Sequence, residues 1–422
     1  MRTIEVLKEG KGRKIEVERN SQFLYKSGSI FKILKEWYNL KKAFQLKLKV
    51  PHPIKFVRLS LFKAQIVMSY IEGKTLEELI PNLKYIEKLR IANELGKMLR
   101  ILNNQKLCHQ DLHKGNIIVS KDNEIFLLDW YKLKKYLTKN KAQINQMITL
   151  YGSFIKELNL KLILSFLKGY FGNYKQAKKF IECFGTYIQQ QGIKKIIKIL
   201  KKEVTNLENE RRFKKIYFKN WKGYISIRTN GINYEKEILH WLKHYQEDNI
   251  ILGEILKNGR SSLLVKYNDL CFKLFKRRIH KLKGLKDVFL YIIKSNRVRK
   301  SFFNSYLFFF ITHFTPAPLA FFENKKGEGL LVTYYIKNSL NFAKLLDNLS
   351  NQERKRYINK LLKWYKKVLN YNFITKDPNL RNFLIDSNNI WLVDTLDIIY
   401  TDNPQKKEKS LNKLFQNLKY YI

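Results

Sequence analysis

LCHQDLHKGNIIVSKDNEIFLLDW, Leu107 to Trp130, sets out a polar loop, a short hairpin and a carboxylate at the hairpin's end. Ile117 to Val119 and Ile125 to Leu128 supply the apolar residues of two strands, and Lys121-Asp122-Asn123-Glu124 supplies the turn between them. Asp129 therefore closes the second strand. Upstream, Leu89, Ala92, Leu95, Leu99 and Leu102 recur at helical spacing within Asn82 to Leu102. A helix thus feeds a polar loop, which feeds a hairpin ending in Asp. Asn116 follows Asp111 by five residues, and Asp129 comes 13 residues after that.

The same plan recurs in FITKDPNLRNFLIDSNNIWLVDTLD, Phe373 to Asp397. A helical segment, Glu353 to Leu369, precedes a polar loop, and a hairpin turns at Asp386 to Asn389. Asp377 precedes Asn382 by five residues and Asp394 follows 12 later. The separation of the two copies exceeds any repeat-array period, so it implies a duplicated domain rather than a solenoid. A strand-rich segment precedes each copy. Ile4 to Lys8, Lys14 to Glu18 and Phe23 to Lys26 form the first set, with Gly10 and Gly12 between strands and Glu36 on a following helix. Ile250 to Leu256, Ser262 to Lys266 and Leu270 to Phe275 form the second, with Lys273 in its third strand. The expected fold is α+β, with two bilobal domains at 1–202 and 249–422. The charged stretch 203–248, which contains ENERRFKK and YEKEILHWLKHY, reads as a helical connector.

Phosphoryl transfer asks little covalent chemistry of a protein. It needs a carboxylate to orient or deprotonate the acceptor hydroxyl, and oxygen ligands for the magnesium that bridges the phosphates. An Asp with an Asn five residues on brings base and metal ligand to one place, and a nearby Asp at a hairpin end completes the set. An anchoring lysine paired with a helical glutamate is the remaining requirement. Lys26, in the apolar strand pattern FLYK, stands ten residues before Glu36. Lys32 is an alternative anchor, and a solvated surface lysine is the plain reading of either in so lysine-rich a chain. Gly10 and Gly12 form at most a minimal glycine-rich phosphate loop.

HQDLHKGNI resembles the catalytic loop of the protein-kinase-like superfamily, in the form found in aminoglycoside and choline phosphotransferases and lipopolysaccharide core kinases. That resemblance implies an ATP- and Mg2+-dependent kinase. It makes Asp111 the catalytic base, Asn116 and Asp129 the metal ligands, and His109 the histidine that holds the loop. His113 and Gly115 match the H-x-G-N form of the small-molecule and glycolipid branches. MSYIEGKTL, from Met68, resembles the hinge that frames adenine.

In the second copy, LCFKLFKRR, NRVRKSFFNSYLFFF, TPAPLAFFE and GLLVTYYI are similar in order and wording to the small lobe of bacterial lipopolysaccharide core kinases, which phosphorylate Kdo or heptose. The resemblance implies Lys273 as the ATP lysine, Asp377 as base, and Asn382 and Asp394 as metal ligands. Departures accompany it. Thr375 replaces the loop histidine, Asn379 stands in the place of His113, and Arg381 replaces the glycine. No Glu occurs from Arg297 to Leu307, where Asn304 and Ser301 are the nearest polar residues. An active second site and a decayed copy kept for binding both remain open.

Composition bounds the partners. Lys and Arg number 82 against 36 Asp and Glu, a formal charge of +46, which attracts polyanions. Drift toward Lys, Asn and Ile also raises that figure. Three cysteines without metal-type spacing fit a reducing cytosol and no disulfide framework. The N-terminus lacks the apolar core of a signal peptide, and the apolar run Phe302 to Phe314 is too short and too polar to cross a bilayer. The expectation is a cytoplasmic enzyme, peripheral at the inner face of the inner membrane, acting on lipopolysaccharide or another anionic glycolipid. IKKIIKILKK, Ile193 to Lys202, presents an apolar stripe that reads as core-facing, with a membrane-surface helix as the alternative. Nucleic acid is not expected as a partner, because no recognised module accompanies basic clusters such as Lys276-Arg277-Arg278. Alternatives are a small-molecule phosphotransferase of the aminoglycoside or choline type and a pseudokinase-like polyanion-binding protein.

Overall fold

The computed structural model describes residues 4–421 except 11, 12, 19, 21, 156, 249, 277–296 and 388. Two compact units divide the chain, Met1–Ile196 and Ile197–Ile422. Both mix β-rich and helical parts, as expected for an α+β, kinase-like fold.

In the first unit, β1 (Ile4–Gly10), β2 (Arg13–Glu18), β3 (Phe23–Ser29), β4 (Pro53–Arg58) and β5 (Lys63–Ser69) form an antiparallel sheet in the order β1-β2-β3-β5-β4. Alternation drives β5, where Ala64, Ile66 and Met68 point inward and are buried. Helix α1 (Ile30–Gln45) interrupts the sheet after β3 and buries Ile33, Glu36, Leu40 and Ala43 along one face. That stripe follows the helical period, with Glu36 the one charged member.

The helical part follows. It comprises β6 (Gly73–Thr75), α2 (Leu76–Leu79), α3 (Tyr85–Asn104), β7 (Leu107–His109), β8 (Ile117–Ser120), β9 (Ile125–Leu127), β10 (Leu133–Lys135), α4 (Lys139–Phe154), α5 (Leu160–Phe171) and α6 (Tyr174–Thr205). Thr75 and Glu78 close a capping box at the start of α2. Glycine lets α3 and α5 touch: a Cβ at Gly96 would lie 2.3 Å from Phe166 O, and one at Gly169 2.0 Å from Asn93 O. Two small sheets, β6-β8-β9 and β7-β10, fix the loop between β7 and β8 at both ends.

The second unit contains β11 (Phe213–Phe218), β12 (Trp221–Ser226), α7 (Glu235–Glu247), β13 (Glu254–Asn258), β14 (Ser262–Tyr267), β15 (Leu270–Phe275), α8 (Arg297–Thr312), β16 (Pro318–Asn324) and β17 (Gly329–Tyr334). Then come β18 (Leu340–Asn341), α9 (Phe342–Asp347), α10 (Asn351–Asn370), β19 (Phe373–Thr375), β20 (Phe383–Ile385), β21 (Ile390–Leu392), β22 (Ile398–Tyr400) and α11 (Pro404–Leu418). Its large sheet runs β11-β12-β16-β17-β15-β14-β13. Without β11 and β12, that order repeats the five-stranded sheet of the first unit, read from the opposite edge. The small sheets repeat as well, β18-β20-β21 for β6-β8-β9 and β19-β22 for β7-β10.

The stretch 203–248 departs from the expected helical connector. β11 and β12 form a hairpin through Phe218↔Trp221, and β12 pairs with β16, so the segment is part of the second unit's sheet. The physical reason is that Phe213, Trp221, Tyr224 and Ile225 are all buried, on the two faces of the hairpin, amid charged neighbours that masked them in the sequence. The division between units also falls inside α6 rather than at 202. In α6, Ile193, Ile197 and Leu200 are buried, so the apolar stripe of IKKIIKILKK faces core. Among the described residues, no helix is long and apolar enough to cross a membrane.

Candidate active site

Lys26 sits in β3 between Ile15 of β2 and Ile66 of β5, and only 7% of it is exposed. Its Nζ lies 2.5 Å from Glu36 Oε1 and 3.2 Å from Asp129 Oδ1. A strand lysine, a helix glutamate and a hairpin-end aspartate thus converge on one ammonium. Lys32, the alternative anchor, is exposed on α1. Burial pushes the Glu36 carboxyl above the ordinary range, and the adjacent Lys26 opposes it. Gly10 ends β1 in the glycine-favouring region at φ 140°, and Gly12 lies outside the described residues.

Asp129 follows β9 in the left-handed conformation at φ 55°, which aspartate tolerates better than bulkier residues. Burial works to raise its carboxyl, but attraction to and a hydrogen bond from Lys26 prevail and leave it below the ordinary value. It is therefore an ionised oxygen donor at neutral pH. Asn39, one turn after Glu36, donates from Nδ2 to Trp130 O at 2.8 Å and ties α1 to the residue after Asp129. Across the hairpin, Leu128 N donates to Asn116 O at 2.9 Å, which places Asn116 beside Asp129.

The loop between β7 and β8 is braced from within. His109 is buried, its Nε2 is 3.0 Å from Leu128 O, and its ring meets Trp130 edge-on at 5.0 Å. Burial holds the imidazole below its usual value, so it is neutral and donates to Leu128. Gln146 of α4 accepts from His109 N at 2.8 Å. Asn116 Nδ2 donates to Asp111 O at 2.8 Å, which folds the five-residue interval into a single turn. His113 Nδ1 accepts from Gly115 N at 3.1 Å, so His113 shapes the loop.

Asp111 presents a partly exposed carboxylate, with Oδ2 2.8 Å from Lys132 Nζ. Lys195 of α6 donates to Thr149 Oγ1 at 2.8 Å and to Gln110 O at 3.4 Å. Burial lowers its pKa, while nearby Cys108 and Asp111 counteract the effect. Sequence reading missed Asn39, Lys132 and Lys195. Only Asn39 had a signal, since Glu36-x-x-Asn39 and Ser301-x-x-Asn304 share one helical interval.

The donor set fits magnesium. With its amide nitrogen committed to Asp111 O, Asn116 offers its side-chain oxygen, and Asp129 offers an ionised carboxylate. Few protein oxygens are what this cation takes when phosphates complete its shell. Among the described residues, no group of three or more His, Cys, Asp or Glu gathers to hold a metal, as a zinc site would require.

The second unit places its residues in the same relations, with fewer braces. Lys273 Nζ lies 3.1 Å from Asp394 Oδ2. Burial acts to raise Asp394, but Lys273 overrides it and the carboxyl falls below the ordinary value. Val393 N donates to Asn382 O at 2.9 Å, and Asn304 Nδ2 donates to Thr395 O and Leu396 O at 3.0 Å each. Asn304 thus does for α8 what Asn39 does for α1, which puts Ser301 in the place of Glu36. Ser301 is buried near Thr395, with the two hydroxyls 3.5 Å apart. The Asn382 Nδ2 to Asp377 O distance is 3.5 Å, looser than in the first unit. Asp394 is also not among the residues with positive φ. Thr375, which replaces the histidine, accepts from Asp377 N through Oγ1 at 3.3 Å.

Comparison with known proteins bears on the first unit. Residues 7–143 match the RIO domain family. KEOPS complex subunit Bud32 of Pyrococcus abyssi (strain GE5 / Orsay) is 29% identical over 91 residues, which are 22% of this chain and 40% of that protein. The chain therefore spans less than half the length of this curated relative. The match spans Lys26, Glu36, Asp111, Asn116 and Asp129, the residues that the geometry above brings together.

Proposed function

We propose that the chain is an ATP-dependent phosphotransferase with two kinase-like domains in tandem. Its acceptor is a hydroxyl on the sugar of an anionic, lipid-linked glycoconjugate, with the Kdo or heptose of the lipopolysaccharide inner core the foremost candidate. The observation that carries the reading is the convergence of Lys26, Glu36 and Asp129 beside the Asp111–Asn116 turn. Magnesium-ATP supplies the transferable phosphoryl group. Lys26, fixed by Glu36, holds phosphate oxygens; Asn116 and Asp129 hold the metal; Asp111 orients the acceptor hydroxyl and takes its proton. The buried His109 keeps the loop in register for this work.

The acceptor class rests on other grounds. A net charge of +46 favours an anionic substrate and an anionic membrane surface, at the cytoplasmic face of the inner membrane. Lys132 and Lys195 add cations beside Asp111, and the second unit has the wording of lipopolysaccharide core kinases. The repeated strand order and the Lys273–Asp394 pair support the tandem reading.

The test is transfer from labelled ATP to extracted rough lipopolysaccharide by the wild type, Asp111→Ala, Asp377→Ala and the double variant. Product lost in part with each single variant supports two working sites. Loss with Asp111→Ala alone makes the second unit a scaffold. No transfer by a wild type that binds magnesium-ATP would reject the glycolipid acceptor and turn attention to soluble small molecules.

A further inference from the structure

The turn between β4 and β5, Leu59-Ser60-Leu61-Phe62, carries its apolar side chains outward. Leu59, Leu61 and Phe62 are 52%, 71% and 75% exposed. The turn is closed: Leu59 N and Ser60 N donate to Lys63 O at 2.9 and 3.0 Å, and Ser60 Oγ accepts from Phe62 N at 3.3 Å. Ile30 N donates to Phe62 O at 2.9 Å, which sets the first turn of α1 against this tip. Phe31, the next residue, is 78% exposed. Single apolar residues on a surface are ordinary, but four at one corner of a sheet mark a contact surface.

Charge around the tip identifies what it meets. From Ile30 to Ser69, eight Lys and one Arg stand against one acid, Glu36, which is buried on Lys26. Nine to one far exceeds the 82 to 36 of the whole chain, and the stretch turns no carboxylate to water. Lys32, Arg58 and Lys63, sequence neighbours of the apolar residues, are exposed, and Arg58 Nε donates to Ser60 O at 3.3 Å. A complementary surface must therefore be apolar and anionic at once. A bilayer with anionic lipids is both, its phosphates matching the cations and its acyl boundary the Leu and Phe side chains. More than half of each apolar residue is open, so the tip protrudes, which suits insertion rather than enclosure of a peptide.

We propose that this tip docks the first unit on an anionic lipid bilayer. Phe31, Leu61 and Phe62 enter the boundary between headgroups and acyl chains, while Lys32, Arg58 and Lys63 meet lipid phosphates. The inference rests on the anionic membrane surface of the reading above and names the part of the chain that touches it. It needs neither the glycolipid acceptor nor ATP.

The test is co-sedimentation of the full chain with vesicles of phosphatidylcholine and phosphatidylglycerol in equal parts, free of acceptor and nucleotide. Wild type should partition onto them at least about tenfold more strongly than onto phosphatidylcholine alone, and less as salt is raised. Leu61→Ser/Phe62→Ser on the turn should weaken partition at least about tenfold, and Phe31→Ser on α1 severalfold. All three side chains are exposed, so cooperative melting should be kept, and two separate variants guard against one failing to fold. Lys32→Ser/Lys63→Ser should weaken partition more than Lys363→Ser/Lys366→Ser, which removes the same charge from α10. A wild type that ignores anionic vesicles rejects the membrane surface altogether and leaves a protein partner for the tip. Partition that survives both apolar variants, or falls equally with the two lysine pairs, overturns this inference alone and makes the attraction one of bulk charge.

Discussion

Lys26 Nζ lies 3.2 Å from Asp129 Oδ1 across 103 residues of sequence, and Lys273 Nζ repeats that relation with Asp394 Oδ2 at 3.1 Å. In the first unit Glu36 shares the ammonium, whereas in the second Ser301 stands in the glutamate's place. The lysine and aspartate reach each other in both sheets because β3 and β15 occupy the same strand position and both hairpins end beside them. The two sites thus share a skeleton and differ in how firmly the lysine is held.

Lys26→Met should therefore cost more than nucleotide affinity. It leaves Glu36 buried without its cation, and breaking a buried pair from one side destabilises by about 3–5 kcal/mol. Urea unfolding of the wild type, Lys26→Met and the paired Lys26→Met/Glu36→Leu variant checks this. The double variant should recover much of the lost stability, and ATP binding should stay absent in both.

Ser301→Glu should do the reverse in the second unit. A carboxylate there restores the partner that Lys273 lacks, and ATP affinity of that unit should rise about tenfold or more. The measurement belongs on an Asp129→Asn background, where the first site is weakened, with a fluorescent ATP analogue as the readout. Unchanged affinity would mean that Ser301 does not occupy the glutamate's place.

Asn39→Ala should act through position rather than contact with nucleotide. The hydrogen bond to Trp130 O sets the residue after Asp129, the proposed metal ligand, whose small displacement would reduce rate sharply. About a 10- to 100-fold fall in transfer is expected, with partial recovery at high magnesium and little change in melting temperature. Magnesium titration of the rate separates this from a structural loss, which added metal would not repair.

His109 sets a pH dependence whose sign follows from burial. Its folded-state pKa lies below the usual 6.5, so the unfolded chain takes the proton more readily. Stability from the neutral ring is complete above pH 6.5 and is lost as pH falls below it toward the depressed folded value. Melting temperature should drop on acidification through this window in the wild type. Gln at position 109 retains a donor for Leu128 O and does not titrate, so His109→Gln should flatten that part of the curve.

Much of the site was legible because its spacing is local. The turn from Asp111 to Asn116, the hairpin to Asp129, and the ten-residue step from Lys26 to Glu36 each follow from one strand, turn or helix period. Lys132 and Lys195 were not legible, since lysines in so lysine-rich a chain look solvated, and Lys132 stays exposed even as it meets Asp111, while Asn39 had only the interval it shares with Asn304. The β11–β12 hairpin was hidden for a related reason. Its buried Trp221 and Tyr224 flank the exposed Lys222, and the flanking ENERRFKK and YEKEILHWLKHY drew the whole stretch toward helix.

Whether the first unit is a working magnesium-ATP site is tested most directly by magnesium-dependent binding of a fluorescent ATP analogue to wild type, Asp129→Asn and Asn116→Ala. Wild type should bind with an affinity that rises with magnesium, and each variant should weaken binding at least about tenfold and lose most of that magnesium response. Equal affinity in all three proteins, with or without magnesium, would contradict a metal-assisted kinase site at Lys26, Asn116 and Asp129.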